Sequence, residues 1–180
     1  MTRTRVLGAV LAGGRSSRFG SDKAEALLAG RPLIDHAIAT LRAQCEAVVV
    51  VGRETDKAVC LADWPAPHRG PLGGLAAALV HASENGFADV LSIGVDCIDM
   101  PEHLVDCLRP APAYIESAPV IGLWPASAAE AVKAILTGAG KHSMRQLAET
   151  VGARAVSVGV APANVNTPDD LARLEASHGL

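Results

Sequence analysis

Aromatic side chains are scarce in this chain, only 3% of 180 residues. That scarcity argues against a stacking platform for single-stranded nucleic acid. Positive charge is not in excess either. Sixteen Lys and Arg face nineteen Asp and Glu, a formal net charge of −3, so the basic face of a nucleic-acid binder is missing. No apolar run reaches the roughly 18 residues that a membrane-crossing helix needs. The opening residues, Met1 to Gly8, lack the long apolar stretch and cleavage site of a signal peptide, and the expected location is the cytoplasm. Cys45, Cys60, Cys97 and Cys107 form no C-x-x-C pair, and the six histidines make no H-E-x-x-H. Buried, reduced thiols are the expectation.

Hydrophobic residues make up 49% and charged residues 19%, which places the chain in the globular class. The length suits one domain spanning residues 1–180, large enough to bury roughly 70% of the surface of the unfolded chain. Ala, Val and Leu must fill the core. Apolar strand-like runs at Val6–Leu11, Ala47–Val51 and Val90–Val95 alternate with helical patterns. Leu33, Ile34, Ala37, Ile38 and Leu41 mark one helix face. Leu72–Val80, Leu104–Leu108, Ala126–Leu136 and Ser143–Val151 are the further helix candidates. Ile115–Leu123 and Ala153–Val158 read as strands, the first weakened by Pro119. Thr167, Pro168 and Asp170 form the start signal of a final helix. Pro110–Pro112 is the best place for a mid-chain joint. This alternation predicts a three-layer α/β/α fold with a mainly parallel sheet. Ligands then collect at the carboxyl ends of the strands, in the loops after Leu11, Val51 and Val95.

The first of those loops carries chemistry. Leu11-Ala12-Gly13-Gly14-Arg15-Ser16-Ser17-Arg18-Phe19-Gly20-Ser21-Asp22-Lys23 opens on glycines, which let backbone approach a ligand closely. Successive free N–H groups in such a turn favour an anion. Arg15, Arg18 and Lys23 against Asp22 leave a local charge of +2 (three minus one), suited to a polyphosphate. The string is neither G-x-x-x-x-G-K-[ST] nor G-x-G-x-x-G. Arg18 could instead pair with Asp22.

These thirteen residues resemble the signature L-A-G-G-x-S-x-R-(M/F)-G-x-D-K of the molybdenum cofactor guanylyltransferase family, within the α/β nucleotidyltransferases. Arg31-Pro32-Leu33, Gly70-Pro71-Leu72-Gly73-Gly74-Leu75, Val95-Asp96 and Asn164-Val165-Asn166-Thr167-Pro168-Asp169-Asp170-Leu171 match further family motifs in order. The resemblance implies a Rossmann-like nucleotidyltransferase fold that joins the GMP part of GTP to the phosphate of molybdopterin and releases pyrophosphate. It implies nucleotide contacts at Leu11, Ala12, Gly13, Gly14, Lys23, Asp63, Gly70 and Asp96. Lys23 and Arg18 would offset charge developing in transfer, and Asp96 would hold Mg²⁺. Asn166 could supply a second oxygen, directly or through water, because Mg²⁺ prefers oxygen donors and keeps several waters. The attacking group is already an anion, so no strong general base is required.

The sequence also departs from the family pattern. Asp96-Cys97-Ile98 lacks the usual proline, Val51 stands where an Asn is common, Ala118-Pro119 replaces His-Pro, and the stretch from Asp96 to Pro119 is short. By the resemblance, the stretch from Asp96 to Pro119 would help form the acceptor half. A cytidylyl- or sugar-phosphate nucleotidyltransferase, or a non-catalytic nucleotide-binding paralogue, therefore stays open beside the guanylyl reading. Gly13-Gly14 favours guanylyl over the Ala-Ala-Gly of the cytidylyl branch. Bland roles also stay open: Asp96 as a helix cap, Asp99 near the cap of the next short helix, Asp63 as a surface acid, Asn166 as a turn former. The implied partners are GTP, a molybdopterin-type acceptor, and the molybdopterin-handling or molybdoenzyme proteins that would take the product.

Overall fold

The valine- and leucine-rich runs become the centre of a sheet. In the computed structural model, residues 4–13, 22–159 and 162–177 are described. Strand β1 (Val6–Leu11) is buried at every position. A 3-10 turn at Lys23–Glu25 follows, then a small antiparallel hairpin of β2 (Leu27–Leu28) and β3 (Arg31–Pro32). Helix α1 (Leu33–Arg42) buries Leu33, Ile34, Ala37, Ile38 and Leu41, the face its spacing predicts. Strand β4 (Ala47–Val51) and the short β5 (Val59–Leu61) come next, then α2 (Gly70–Glu84), β6 (Asp89–Gly94), β7 (Cys97–Ile98) and α3 (Leu104–Leu108). The chain closes with β8 (Ala113–Ile115), β9 (Ala118–Pro125), α4 (Ala129–Thr137), α5 (Met144–Thr150), β10 (Arg154–Val156), β11 (Ala163–Asn164) and α6 (Pro168–Ser177).

Seven strands form one sheet in the order β10-β8-β9-β6-β1-β4-β5. Four of its six pairings are parallel, and only β9 runs against its two neighbours. One core lies between the sheet and α2, α4 and α5, with Leu7, Leu75, Leu79, Trp124 and Leu147. The other lies against α1 and α3, with Val10, Ile38, Leu41, Ile93 and Leu104. Burial on both faces is why these strands read as continuous apolar runs.

The structure refines two expectations and corrects a third. The strand read over Ile115–Leu123 is present as β9 (Ala118–Pro125), with Pro119 within it. β9 pairs with β6 only through Gly122–Pro125, and its pairing with β8 is irregular near Tyr114 and Ile115, so Pro119 sits outside the regular ladder. Pro110–Pro112 is not a joint, because it feeds directly into β8 of the same sheet. Asp99 lies shortly before the next helix rather than at its first cap position, which His103 holds, and takes a positive φ of 57°.

Trp124 shows how an aromatic-poor core is keyed. Its indole folds over Gly122, where an added Cβ would stand 2.6 Å from a ring carbon. Trp124 Nε1 donates to Ser92 Oγ at 3.0 Å, and that hydroxyl donates to the Val120 carbonyl at 2.8 Å. Tyr114 stacks on the same ring, 6.5 Å between centroids. Gly122→Ala should therefore cost about 1–3 kcal/mol through overpacking. Urea unfolding would show a lower midpoint at unchanged slope, and an unchanged midpoint would refute the packing argument.

Burial pushes the Cys45 and Cys97 thiols up to about 12, with the Asp96 carboxylate adding to the effect at Cys97. The thiolate is the reactive form. At pH 8, Ellman's reagent should modify exposed Cys107 well before Cys45 and Cys97, which should react only on unfolding. Equal rates for the three would contradict this.

Candidate functional site

β1, β4, β5 and β6 are parallel, so their carboxyl ends share one edge of the sheet. Helix α2 follows β5 and starts at that edge. Leu11, the last residue of β1, is buried. Its carbonyl accepts from Val95 N at 3.2 Å, while Ala12 N donates to the Val51 carbonyl at 2.9 Å. The loop after β1 thus leaves between the loops after β4 and β6, the crevice where α/β sheets bind ligands.

Two groups of side chains meet there. In the first, Lys23 Nζ donates to Asp96 Oδ2 at 2.6 Å and to Asn166 Oδ1 at 3.1 Å. Asp96 follows directly on β6. Asn166 arrives from far along the chain, and local packing explains how. β11 pairs antiparallel with β7, Val165 N donates to the Asp96 carbonyl at 3.1 Å, and the Val165 side chain is buried with Leu28, Leu33 and Ile98. Leu171 and Leu174 of α6 pack on the same small cluster. The start of α6 is a reciprocal cap: Asp170 N donates to Thr167 Oγ1, and Thr167 N and Asn166 N both donate to Asp170 Oδ2. The Thr167 hydroxyl beside it, then the Asn166 and Thr167 N–H groups that donate to it, hold the Asp170 carboxyl below its usual range. Asp170 therefore stays ionised at neutral pH and fixes the turn that carries Asn166.

In the second group, Gly13 lies against Gly52 and Asp63. A Cβ on Gly13 would stand 3.2 Å from both Asp63 carboxylate oxygens. A Cβ on Gly52, whose φ is +82°, would stand 2.5 Å from Gly13 Cα and 2.8 Å from Gly13 N. The position therefore demands glycine both for space and for conformation. Asp63 also accepts from His68 N at 3.1 Å. It is not a detached surface acid: its carboxylate faces the backbone of the loop after β1. Gly70, at the start of α2, has a φ of +69° and open space at its Cβ position. Gly14 and Arg18 lie outside the described residues. Among the described residues, the Asp22 carboxylate holds Arg53.

The first group offers oxygens to a cation. Lys23 is itself a cation seated between a carboxylate and an amide oxygen drawn from two distant segments. Among the described residues, no group of three or more His, Cys, Asp or Glu is placed to hold a metal. A single carboxylate with one neutral oxygen suits a hard ion that keeps its waters and shares a ligand's phosphates. The donor set fits Mg²⁺ on those grounds.

Comparison with known proteins identifies the family. The sequence profile of the MobA-like NTP transferase domain matches residues 8–158. The chain belongs to that family and is a nucleotidyltransferase. The transferase is 32% identical to the molybdenum cofactor guanylyltransferase of Rhizobium leguminosarum bv. trifolii, covering 96% of this chain and 93% of that protein. It is 34% identical to the molybdenum cofactor guanylyltransferase of Acidiphilium cryptum, over 93% of this chain and 92% of that one. The solved structure of molybdopterin-guanine dinucleotide biosynthesis protein A from Archaeoglobus fulgidus shares the fold, with a TM-score of 0.73 at 22% identity over 96% of this chain and 98% of that one.

Sequence reasoning passed over three residues at this edge. Gly52 and Arg53 directly follow an all-valine strand, and position at a strand's carboxyl end was the available signal. Gly94 was hidden inside an apolar run. A Cβ there would stand 2.5 Å from Asp96 Oδ1, so glycine is what lets the carboxylate fold back beside its own strand. Gly94→Ala should displace that carboxylate and weaken Mn²⁺ binding by about tenfold, a shift worth roughly 1.4 kcal/mol. Paramagnetic relaxation of water protons would read it; wild-type Mn²⁺ affinity in the variant would refute the displacement.

Proposed function

We propose that this transferase moves GMP from GTP to the phosphate of a molybdopterin-type acceptor in the cytoplasm, with Mg²⁺ as cofactor. An oxygen of the acceptor phosphate attacks the α-phosphorus of GTP. The bond from that phosphorus to the bridging oxygen breaks, and pyrophosphate leaves. The observation that carries this reading is the convergence of Lys23, Asp96 and Asn166 at the edge where the glycine loop begins. The two curated relatives named as molybdenum cofactor guanylyltransferases support the choice of base and acceptor.

Each residue has a task of its own. Leu11, Ala12 and Gly13 lay backbone along the nucleotide, with Asp63 behind them. Gly14 and Arg18 would continue that surface, and Gly70 opens the helix that faces it. Lys23 contacts the phosphates and offsets charge that builds as pyrophosphate departs. Asp96 and Asn166 supply oxygens to Mg²⁺, which when bound neutralises phosphate charge. The acceptor is already anionic, and its attack calls for orientation rather than deprotonation. Molybdopterin-handling proteins and molybdoenzymes are the partners this product would serve.

Calorimetric titration with GTP, CTP, ATP and UTP, each with Mg²⁺, tests the proposal. GTP should bind in preference to the other three, and Asp96→Ala or chelation should abolish that preference. Lys23→Ala should lower kcat about a hundredfold or more, the scale of losing one preorganised donor to transition-state charge. A preference for CTP would overturn the guanylyl assignment. Absence of any triphosphate binding would overturn the nucleotide reading itself.

A further inference from the structure

We propose that Arg53 is a positioning residue that sets Lys23 in place through Asp22. The inference rests on the reading of Lys23 as a phosphate contact. It concerns a residue to which neither the glycine loop nor the metal-binding oxygens assign a role.

Gly13 and Asp22 each meet one of two consecutive residues of a single loop, Gly52 and Arg53. The Gly13 backbone packs on Gly52. Asp22 forms an ion pair with Arg53. The two oxygens of the Asp22 carboxylate divide the work. Oδ1 accepts from Ala24 N at 3.2 Å and so caps the 3-10 turn that carries Lys23. Oδ2 takes the Arg53 guanidinium. Glu25, on the same turn, lies 4.0 Å from the guanidinium. Arg53 thus grips the turn from both sides of Lys23, leaving the Lys23 side chain directed to Asp96 and Asn166.

Stability alone is a poor reason for this arginine. Its side chain is only 17% exposed, and among the described residues its buried Nε finds no hydrogen-bond partner. An unsatisfied buried donor is a cost to the fold. Asp22, at 53% exposed, returns little in compensation, because water screens a pair of that kind. A planar fork able to meet two carboxylates on one turn is what the position gains, and lysine offers no such fork.

The test is calorimetric binding of GTP with Mg²⁺ to wild type, Arg53→Ala, Arg53→Lys, Asp22→Asn, and each change in a Lys23→Ala background. Arg53→Ala should weaken GTP about fivefold, the scale of one partly screened ion pair. Arg53→Lys, which keeps the charge and guards against misfolding, should recover part of that loss. Asp22→Asn combined with Arg53→Ala should lose no more than either alone. In the Lys23→Ala background the Arg53→Ala effect should vanish, which a purely structural role would not produce. Wild-type affinity in Arg53→Ala, or an undiminished effect without Lys23, overturns the inference. Failure of the wild-type protein to bind GTP overturns the nucleotide reading, and this inference with it.

Discussion

One ammonium group organises the carboxyl edge of this sheet. The Lys23 side chain is largely covered, with 13% of it exposed, and a charge so placed is costly unless it is paired. Its partners come from three-quarters of the chain's length. Asp96 requires the turn after β6 and the glycine at position 94. Asn166 requires β11 to pair with β7, Val165 to be buried, and α6 to start where it does. The small apolar cluster of Leu28, Leu33, Ile98 and Val165 exists on the outside of the main fold to hold these pieces together. It couples hydrophobic burial, which is non-directional, to a contact that must be correct to a few tenths of an ångström.

Much of the fold was legible because most of it depends on short-range pattern. The apolar run Val6–Leu11 is β1 residue for residue, and Ala47–Val51 is β4 likewise. The spacing from Leu33 to Leu41 names all five buried residues of α1. Legibility stopped where structure depends on partners. β7 and β11 are two residues each, too short for any periodicity, and each exists only because the other does. β5 is a three-residue edge strand whose Val59 remains largely exposed, so burial left no mark on its sequence. Pro119 is tolerated in β9 because the pairing with β8 is irregular there, a feature no local pattern announces.

The site was legible in a different way. The glycine loop, Lys23, Asp96 and Asn166 stood out as motif, and the structure places those of them that it describes along one edge. The motif did not indicate which contacts would arise. Asp63 was weakly marked in sequence, yet its carboxylate faces Gly13. Gly52 and Arg53 carried no motif at all, since their importance lies in what they touch across 30 or 40 residues of chain. Both halves of the sheet contribute differently. The parallel half, β6-β1-β4-β5, builds the edge where Gly13, Lys23 and Asp96 gather. The half around β9 follows the shortened stretch after Asp96, and its antiparallel strand gives that side a separate geometry on which the choice of acceptor would depend.

The contact between Lys23 and Asn166 spans 143 positions. During synthesis on the ribosome, the sheet's first parallel strands and the glycine loop emerge early. Asp96 follows soon after, but the oxygen that completes the trio cannot be present until residue 166 has been made and has cleared the exit tunnel. A nascent chain that has already paired Lys23 with Asp96 would still lack the amide oxygen of Asn166. The contact from Lys23 to Asn166 is therefore among the last of this edge to form, whatever the order in which the sheet assembles.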